Sequence, residues 1–223
     1  MKGKIAEIFD SIQGEGIYLG EKQIFVRFFG CNLKCKFCDT KLDSFEEYEP
    51  GGLFKKLKEF RGDFHSISFT GGEPLLQNDF LKEMLTLTRS EGIKNYLETN
   101  GTLPQELEAV IDDLDIVAMD LKLPSSTGLD SFWKQHFDFI RIASRKEVFL
   151  KAVICKSTRE KDLKEGLKLI KETNKSAVLV LQPNCFEDHG RLNKKLEKFK
   201  EICFKNNVTA CIIPQVHKIT NLK

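Results

Sequence analysis

Hydrophobic residues along the chain alternate between the spacing of strands and the spacing of helices. Residues 23–29 place Ile24, Val26 and Phe28 on one side of a predicted strand, because successive side chains point to opposite faces. Further apolar runs predict strand material at residues 66–69, 96–99, 116–119, 139–142, 148–154, 177–181 and 208–213. Apolar residues three and four positions apart predict helices around residues 53–60, 80–89, 104–111, 163–170 and 192–206.

One strand and one helix recur about every 30 residues, which is near the repeat of a (β/α)8 barrel of about 250 residues. A chain of 223 residues has room for about six such units. We therefore predict an α/β fold, a partial, open (β/α)6-type TIM barrel, with residues 1–223 forming a single domain. Residues 4–20, ahead of the first predicted strand, are interpreted as a mobile lead-in that contains several glycines.

The composition restricts the partners and the compartment of this chain. Its net charge of +2 favours neither a nucleic-acid nor a membrane surface, and the lysine-rich residues 161–175 and 194–205 have the spacing of solvated helix faces. The sequence has no apolar run of about 18 residues and no apolar secretion signal after Met1. Seven cysteines, an odd number, point to the reducing cytoplasm. We expect a cytoplasmic protein without nucleic-acid or membrane partners.

Three cysteines fall close together after the first predicted strand. Cys31, Cys35 and Cys38 have the spacing C-x3-C-x2-C, in which a disulfide would need a tight, strained loop and would leave one thiol over. A structural zinc site takes four protein ligands, and the next candidate along the chain is His65. Three thiolates without a fourth ligand instead fit a 4Fe-4S cluster that has one iron open to a small molecule. A zinc site or a reactive-thiol loop are the alternative interpretations.

Three polar motifs directly follow predicted strands. Gly-Gly-Glu-Pro begins at Gly71, Asp-Leu-Lys begins at Asp120, and Gln-Pro-Asn begins at Gln182. Taken alone, the first is only a turn signal and the second can be an idle ion pair. The carboxyl ends of parallel strands meet at one edge of the sheet, where barrels of this kind bind their ligands. The shared position of the motifs therefore predicts a binding site at that edge.

Several other polar residues allow two interpretations. Arg27 lies inside an apolar strand, so its guanidinium needs either an internal acid or a ligand carboxylate as its partner. Glu15 lies between two glycines, which suits either close contact with a ligand or a plain surface turn. Asp39 and Thr40 suit either ligand binding or a helix cap. His217 suits either an acid–base role or a cap.

The cysteine spacing is the signature of the radical S-adenosylmethionine superfamily, and the surrounding residues resemble one of its families more closely. Residues 11–16, 25–33 and 38–40 are similar to the 7-carboxy-7-deazaguanine synthases, and the resemblance extends over most of the chain. It implies radical-mediated ring contraction of 6-carboxy-5,6,7,8-tetrahydropterin with release of ammonia, in the biosynthesis of queuosine and other 7-deazapurines. It also implies a 4Fe-4S cluster, S-adenosylmethionine and Mg²⁺ as cofactors, flavodoxin or ferredoxin as electron donor, and a homodimer.

The resemblance assigns residues of this sequence to each group. It implies that the cluster is held by Cys31, Cys35 and Cys38 and that Mg²⁺ is bound by Thr40. It implies that S-adenosylmethionine is bound by Phe37, Cys38, Asp39, Gly71, Gly72, Glu73, Asp120, Lys122 and Gln182. It implies that the pterin is bound by Ile12, Gln13, Gly14, Glu15, Arg27 and Thr70. Since a hydroxyl is a weak ligand for Mg²⁺, we expect the substrate carboxylate to supply most of the metal's hold.

Two other functions share part of this pattern. An activase that abstracts hydrogen from a glycine of a partner protein would need the cysteines and the Gly-Gly-Glu-Pro loop, but not Gln13, Glu15, Arg27 or Thr40. A non-catalytic iron–sulfur or zinc module would need the cysteines alone. Residues 182–184 and 220–223 match the family only loosely, and residues 128–149 have no role assigned by the resemblance.

Overall fold

The computed structural model describes residues 1–40, 42–216 and 218. Its strands are β1 (Gly3–Ile12), β2 (Lys22–Phe28), β3 (Glu46–Tyr48), β4 (Ser66–Gly71), β5 (Asn95–Thr99), β6 (Ile116–Asp120), β7 (Glu147–Ile154), β8 (Leu179–Pro183) and β9 (Ala210–Ile212). Its helices are α1 (Pro50–Leu57), α2 (Asn78–Ser90), α3 (Pro104–Glu108), α4 (Pro124–Thr127), α5 (Trp133–Ala143), α6 (Glu160–Thr173) and α7 (His189–Lys205). Short 3₁₀ turns at Pro74–Gln77 and Ile111–Asp113 accompany them.

The strands of the described residues form one open sheet in the order β3-β1-β2-β4-β5-β6-β7-β8-β9. Every pair from β2 to β9 is parallel, and helices follow β2, β4, β5, β6, β7 and β8. This confirms the predicted partial, open (β/α)6-type barrel. The cysteine loop follows β2, which is the first of the parallel strands.

The sheet has a different core on each of its faces. On the outer face, Leu97, Val117 and Leu150 belong to a large apolar core that includes residues of α1, α2, α5, α6 and α7. On the inner face, Tyr96 and Phe149 belong to a separate small cluster, which is completed by Ile116, Ala118 and Val180. Strand alternation separates the two sets, because neighbouring residues of a strand point to opposite faces.

The segment between β1 and β2 fills the bottom of the inner face. The ring of Tyr18 packs against Tyr96 and Phe149, with ring centroids 5.8 and 6.3 Å away, and its hydroxyl donates to the carboxylate of Glu147. Gly16 has a φ of +68°, and a Cβ at this position would come within 2.5 Å of the Phe149 ring. Aromatic side chains therefore cover the bottom of the inner face, and the cavity that the carboxyl ends of the strands enclose lies above them.

The interpretation of residues 4–20 as a mobile lead-in is wrong for its first half. Residues Gly3–Ile12 form β1, which pairs antiparallel with β2 on one side and with β3 on the other. Ile5 and Phe9 are buried, whereas most of the other side chains of β1 are only partly buried or exposed, and this mixture weakens the apolar signal of the strand. Pairing with β2, rather than its own hydrophobicity, makes the segment a strand.

The strand predicted at residues 139–142 is also wrong, because these residues lie in α5. The buried side chains of this helix are His136, Phe139, Ile140 and Ala143, which recur at helical spacing. A short apolar run does not distinguish a strand from the buried face of a helix, and here the run is the middle of that face.

None of the described helices is long and apolar enough to cross a membrane.

Candidate active site

A cavity of about 640 Å³ opens at the carboxyl ends of the parallel strands. Residues that end β2, β4, β5, β6, β7 and β8 line it, together with residues of the segment after β1 and of the cysteine loop. Among the predicted site residues, Ile12, Gln13, Gly14, Glu15, Arg27, Cys31, Cys35, Phe37, Cys38, Asp39, Thr40, Thr70, Gly71, Gly72, Asp120, Lys122 and Gln182 line this cavity. Glu73 is the exception, since its side chain is fully buried outside the lining.

The polar residues of the cavity lining follow the residues of the small inner-face cluster by two positions on the same face. We call that cluster, which comprises Tyr96, Ile116, Ala118, Phe149 and Val180, the aromatic layer. Tyr96 is followed by Glu98, and Phe149 is followed by Lys151, each one step of strand alternation further along. Ala118 precedes Asp120 and Val180 precedes Gln182 in the same way. On each of these four strands, the inner face therefore changes from an apolar residue to a polar or charged one two positions later. This change marks the floor of the cavity.

The Gly-Gly loop approaches the start of the cysteine loop closely. A Cβ at Gly72 would lie 2.0 Å from the carbonyl oxygen of Gly30, and a Cβ at Gly71, whose φ is +134°, would lie 2.3 Å from that of Phe28. The amide of Gly72 donates to the carbonyl of Phe28 at 3.1 Å, and the amide of Glu73 donates to the carbonyl of Gly30 at 2.8 Å. Both glycines are thus needed to bring the end of β4 against the end of β2.

The cavity lining contains the three cysteines and, among its described residues, neither a histidine nor a fourth cysteine. The Sγ of Cys31 accepts from the amide of Leu33 at 3.4 Å and from Asn100 Nδ2 at 3.9 Å. Burial raises the pKa of the Cys31 and Cys35 thiols, and the nearby Lys122 opposes the rise. In the part of the chain that is described, no three His, Cys, Asp or Glu side chains gather as a site for one metal ion. This donor set suits a three-thiolate cluster better than a structural zinc site.

Glu73 stabilises the Gly-Gly loop through hydrogen bonds that lie outside the cavity lining. Its carboxylate accepts hydrogen bonds from Thr99 Oγ1 at 2.8 Å, from the Asn100 amide at 2.7 Å and from the Leu75 amide at 3.2 Å. Burial raises the pKa of Glu73 to about 7, although the three hydrogen bonds act in the opposite direction. The side chain therefore ties the Gly-Gly loop to the end of β5, and it does not line the cavity.

A row of alternating charges crosses the cavity wall. Lys122 Nζ lies 2.7 Å from Asp120 Oδ2, and Lys151 Nζ lies 3.6 Å from Asp120 Oδ1 and 2.8 Å from Glu15 Oε2. Burial alone would raise the pKa of Asp120, but the charges of Lys122 and Lys151 outweigh it and the pKa is lowered. The row joins the predicted pterin side, at Glu15, to the predicted S-adenosylmethionine side, at Asp120 and Lys122.

A second polar group surrounds Gln13. Its Nε2 donates to Glu98 Oε1 at 2.8 Å and to Gln23 Oε1 at 3.0 Å, while its Oε1 accepts from the amide of Glu15 at 3.0 Å. The hydroxyl of Thr70 donates to the other oxygen of Glu98 at 2.9 Å. Glu98 thus connects two of the predicted pterin residues.

The structure shows an internal acid as the partner of Arg27, which is one of the two interpretations that its sequence position allows. Its Nε donates to Glu7 Oε2 of the neighbouring strand at 2.9 Å, and its guanidinium carbon lies 5.7 Å from the centre of the Phe9 ring. The same side chain lines the cavity. An internal acid therefore orients the guanidinium, and the side chain still faces the space where a ligand carboxylate would bind.

Residues near the carboxyl end of the chain cross the mouth of the cavity. Gln215 Nε2 donates to Glu15 Oε1 at 2.7 Å and to Asp39 Oδ2 at 3.1 Å, and Lys218 Nζ lies 3.1 Å from the same Asp39 oxygen. Asp39 thus binds side chains rather than capping a helix. His217 and residues 220–223, about which the sequence left open questions, lie outside the described residues.

Gln182 gives an independent sign that a ligand belongs in this cavity. Its side chain is buried and lines the cavity, yet its Oε1 has no hydrogen-bond partner among the described residues. A buried amide oxygen left without a donor is costly unless a ligand or water supplies one. Gln182 is one of the residues that the resemblance assigns to S-adenosylmethionine.

The sequence interpretation missed several residues of the lining, namely Glu98, Thr99, Asn100, Lys151, Asn184, Gln215 and Lys218. A signal was available for two of them. Glu98 and Lys151 are single charged residues near or inside apolar strands, and burying such a residue requires a partner or a task. For Gln215 and Lys218, which follow the last strand, the sequence offers no comparable signal.

Comparison with known proteins gives consistent matches. The model of the radical SAM superfamily matches residues 25–191. The 7-carboxy-7-deazaguanine synthase of Geobacter sulfurreducens is 33% identical, over 96% of this chain and 96% of that protein. The enzyme of that name from Archaeoglobus fulgidus is 32% identical, and the match covers both chains fully.

Solved structures agree in fold. The crystal structure of QueE from Escherichia coli has a TM-score of 0.67 at 20% identity, covering 95% of this chain and 94% of that one. A domain of pyruvate-formate lyase-activating enzyme from Bacteroides vulgatus has a TM-score of 0.54 at 18% identity, covering 66% and 98%. At these identities the likeness concerns the fold, which synthases and activases share.

Proposed function

Because the chain belongs to the radical SAM superfamily and, within it, to the family of 7-carboxy-7-deazaguanine synthases, we propose how its cavity performs that reaction. The reaction is the ring contraction of 6-carboxy-5,6,7,8-tetrahydropterin to 7-carboxy-7-deazaguanine with release of ammonia. The observation that carries the proposal is the meeting of the three cysteines, the Gly-Gly loop and the group around Gln13 and Glu15 in one cavity. The sequence relatives favour this function over the activase alternative.

On one side of the cavity, Cys31, Cys35 and Cys38 would hold the 4Fe-4S cluster. When bound, the cluster and S-adenosylmethionine together supply one-electron cleavage of the cofactor and abstraction of a hydrogen atom from the substrate. The backbone at Gly71 and Gly72 lines the same side and leaves room for close contact. Further contacts to the cofactor would come from Phe37, Cys38, Asp39, Asp120, Lys122 and Gln182, with Glu73 stabilising the loop from behind.

On the other side, the described polar contacts suit the edge of a pterin. The amide of Gln13 is fixed by Glu98 and Gln23, so its orientation is set before a ligand binds. Glu15 presents a carboxylate whose remaining lone pairs would accept hydrogen bonds from the amide and amino groups of the pterin, and an analogue lacking these donors would lose those bonds. Ile12, Gly14 and Thr70 would complete this side of the site.

Arg27 and Thr40 would bind the carboxylate of the substrate and its metal. The Nε edge of Arg27 is engaged by Glu7, so the terminal nitrogens are the groups available to a bidentate carboxylate. Thr40 offers a hydroxyl oxygen, which by itself holds Mg²⁺ weakly because this ion usually keeps several waters. We therefore propose that Mg²⁺ binds tightly only together with the substrate carboxylate.

We also propose the compartment and the partners of the protein. All seven cysteines are free thiols, which supports a reducing compartment such as the cytoplasm. A radical SAM enzyme requires a reductant, and we propose flavodoxin or ferredoxin. We also propose a homodimer, to be tested by analytical ultracentrifugation of the reconstituted protein.

An anaerobic assay tests the proposed function. Reconstituted protein receives dithionite, S-adenosylmethionine, Mg²⁺ and 6-carboxy-5,6,7,8-tetrahydropterin, and mass spectrometry detects 5′-deoxyadenosine and 7-carboxy-7-deazaguanine. We expect both products from the wild type, and neither from Cys35→Ala. The control is Cys185→Ala, because this thiol does not line the cavity and its loss should leave iron content and both products unchanged. 5′-Deoxyadenosine without the deazapurine would overturn the substrate assignment.

A further inference from the structure

We propose that Lys151 is a positioning residue that holds Glu15 in place to bind the pterin and joins it to Asp120 on the cofactor side. This inference rests on the proposed function, because it takes Glu15 as a contact of the pterin. Nothing in the sequence motifs points to Lys151, which occupies the middle of an otherwise largely apolar strand.

The position of Lys151 in β7 places its ammonium in the cavity wall. Phe149, two residues earlier on the same face, belongs to the aromatic layer below, so Lys151 is the first polar position above that layer. Its side chain is only 5% exposed. An apolar residue here would simply extend the layer beneath, and the fold alone therefore gives no reason for a lysine.

The ammonium of Lys151 is paired on two sides by acids from different parts of the chain. Glu15 Oε2 lies 2.8 Å away and comes from the segment after β1, whereas Asp120 Oδ1 lies 3.6 Å away and comes from the end of β6. Burial would lower the pKa of Lys151, but Asp120, Glu15 and also Glu98 outweigh it and the pKa lies well above its ordinary value. Lys151 therefore remains a cation inside the cavity wall.

The two ion pairs differ in a way that predicts which ligand depends on Lys151. Asp120 has a shorter ion pair with Lys122, at 2.7 Å, so it keeps a close cation when Lys151 is removed. The contact of Lys151 with Glu15 is the shorter of its own two. Removing the ammonium should therefore disturb Glu15 more than Asp120, and pterin binding more than cofactor binding.

Lys151 also completes the restraint on Glu15. One carboxylate oxygen, Oε2, accepts from Lys151, and the other, Oε1, accepts from Gln215. With both oxygens held, the plane of the carboxylate is fixed before the substrate arrives, which reduces the entropy lost on binding. A methionine at position 151 would fill similar volume without holding the carboxylate.

Calorimetric titration of the reconstituted protein, without reductant, tests the inference by binding alone. For Lys151→Met we expect the Kd of 6-carboxy-5,6,7,8-tetrahydropterin to rise about 10- to 100-fold, as for loss of a charged hydrogen bond. The Kd of S-adenosylmethionine should change less than about threefold, since Lys122 still pairs with Asp120. Lys151→Arg keeps a cation and should restore most of the pterin affinity.

A double-mutant cycle asks whether Lys151 acts through Glu15. In a Glu15→Gln background the further change Lys151→Met should weaken pterin binding by less than about threefold, because the group that it positions is already neutral. An equal, large effect in both backgrounds would overturn the inference. So would unchanged pterin binding in Lys151→Met, or equal losses of both ligands.

The outcomes separate this inference from the proposed function. If the wild type itself does not bind the pterin, the substrate assignment fails. If the wild type binds it and Lys151→Met binds it equally well, the role of Lys151 fails alone. Should Lys151→Met not fold, Lys151→Gln takes its place in the comparison with Lys151→Arg, because glutamine removes the positive charge at position 151 and arginine keeps it.

Discussion

Two acids at the edge of the cavity, one partly buried and one fully buried, are held by opposite means. Asp120, at the end of β6, has Lys122 at 2.7 Å and Lys151 at 3.6 Å, and its pKa is lowered. Glu73, just after β4, accepts from one hydroxyl and two amides, and its pKa is raised to about 7. Burial acts in the same direction on both groups, so the difference comes from their partners.

The difference matches what each acid does. Asp120 lines the cavity and stays charged, which suits a group that receives hydrogen bonds from a ligand. Glu73 does not line the cavity, and neutral donors are enough to hold a side chain whose task is to join two loops. The acid that lines the cavity is thus held charged by lysines, and the acid outside the lining is held by neutral donors.

The largest effect is expected from removing the closer lysine of Asp120. Lys122→Met leaves the partly buried carboxylate of Asp120 with only the more distant Lys151 as a cation. Loss of one partner of a buried ion pair lowers the free energy of unfolding by about 3 kcal/mol at the lower end of the usual range. We take the lower end because the Asp120 side chain is 27% exposed. Urea unfolding of the cluster-free protein at pH 7 measures this loss.

A surface pair of the same length is the matched control. Lys134 Nζ also lies 2.7 Å from a carboxylate, that of Asp138, but its side chain is 87% exposed. Lys134→Met should cost less than about 0.5 kcal/mol, because water screens the pair in the folded protein. Equal losses in the two variants would contradict the view that burial gives the Asp120 pair its weight.

The pH dependence of Lys122→Met follows from the sign of the Asp120 shift. A lowered pKa means that the folded protein binds this proton less tightly than the unfolded chain does. The stability that the pair contributes is therefore present above the ordinary pKa of 3.8 and is lost as the pH falls below it. In Lys122→Met this loss on acidification should shrink, which unfolding curves between pH 3 and pH 7 will show.

Glu73→Gln tests the other half of the comparison. Because the pKa of Glu73 is raised from 4.5 to about 7, the folded protein holds the proton more tightly, and ionisation destabilises the fold as the pH rises through this range. Wild type should therefore lose about 3 kcal/mol relative to Glu73→Gln between pH 4.5 and pH 8.

The measurement is the difference in unfolding free energy between wild type and variant at several pH values. Glu83→Gln, on the exposed face of α2, is the control and should follow the wild type throughout. A difference for Glu73→Gln that stays constant with pH would mean that its neutral donors hold the ionised form as well as lysines would.

The sequence was sufficient to predict the mouth of the barrel, since its polar motifs end strands and parallel strands end together. Glu73, which is predicted to contact the cofactor, illustrates the limit of this reasoning, because it does not line the cavity although its neighbours Gly71 and Gly72 do. A motif gives the position of a residue on the edge, but not whether its side chain faces the cavity or the loop behind it. Here Thr99 and Asn100, which come from another strand, decide the direction.

Other features could not be predicted because they depend on pairing over long distances. Strand β1 has only scattered buried positions and is held by its neighbours in the sheet. Residues 139–142 were misassigned for a different reason, because an apolar run this short fits both the period of a strand and that of a helix. Lys151 could have been found, however, by the argument that identified Arg27, since both are cations inside apolar strands.

The smallest effect is expected where a neutral donor meets a carboxylate at the surface. Tyr18 donates to Glu147 at the exposed bottom of the barrel, so Tyr18→Phe keeps the ring contacts and should cost only about 0.5 to 1 kcal/mol. Tyr48→Phe, which loses a similar bond to Glu46 on an edge strand, is the control and should cost no more. Urea unfolding measures both. A loss from Tyr18→Phe as large as that from Lys122→Met would mean that burial of the carboxylate does not decide the strength of these pairs.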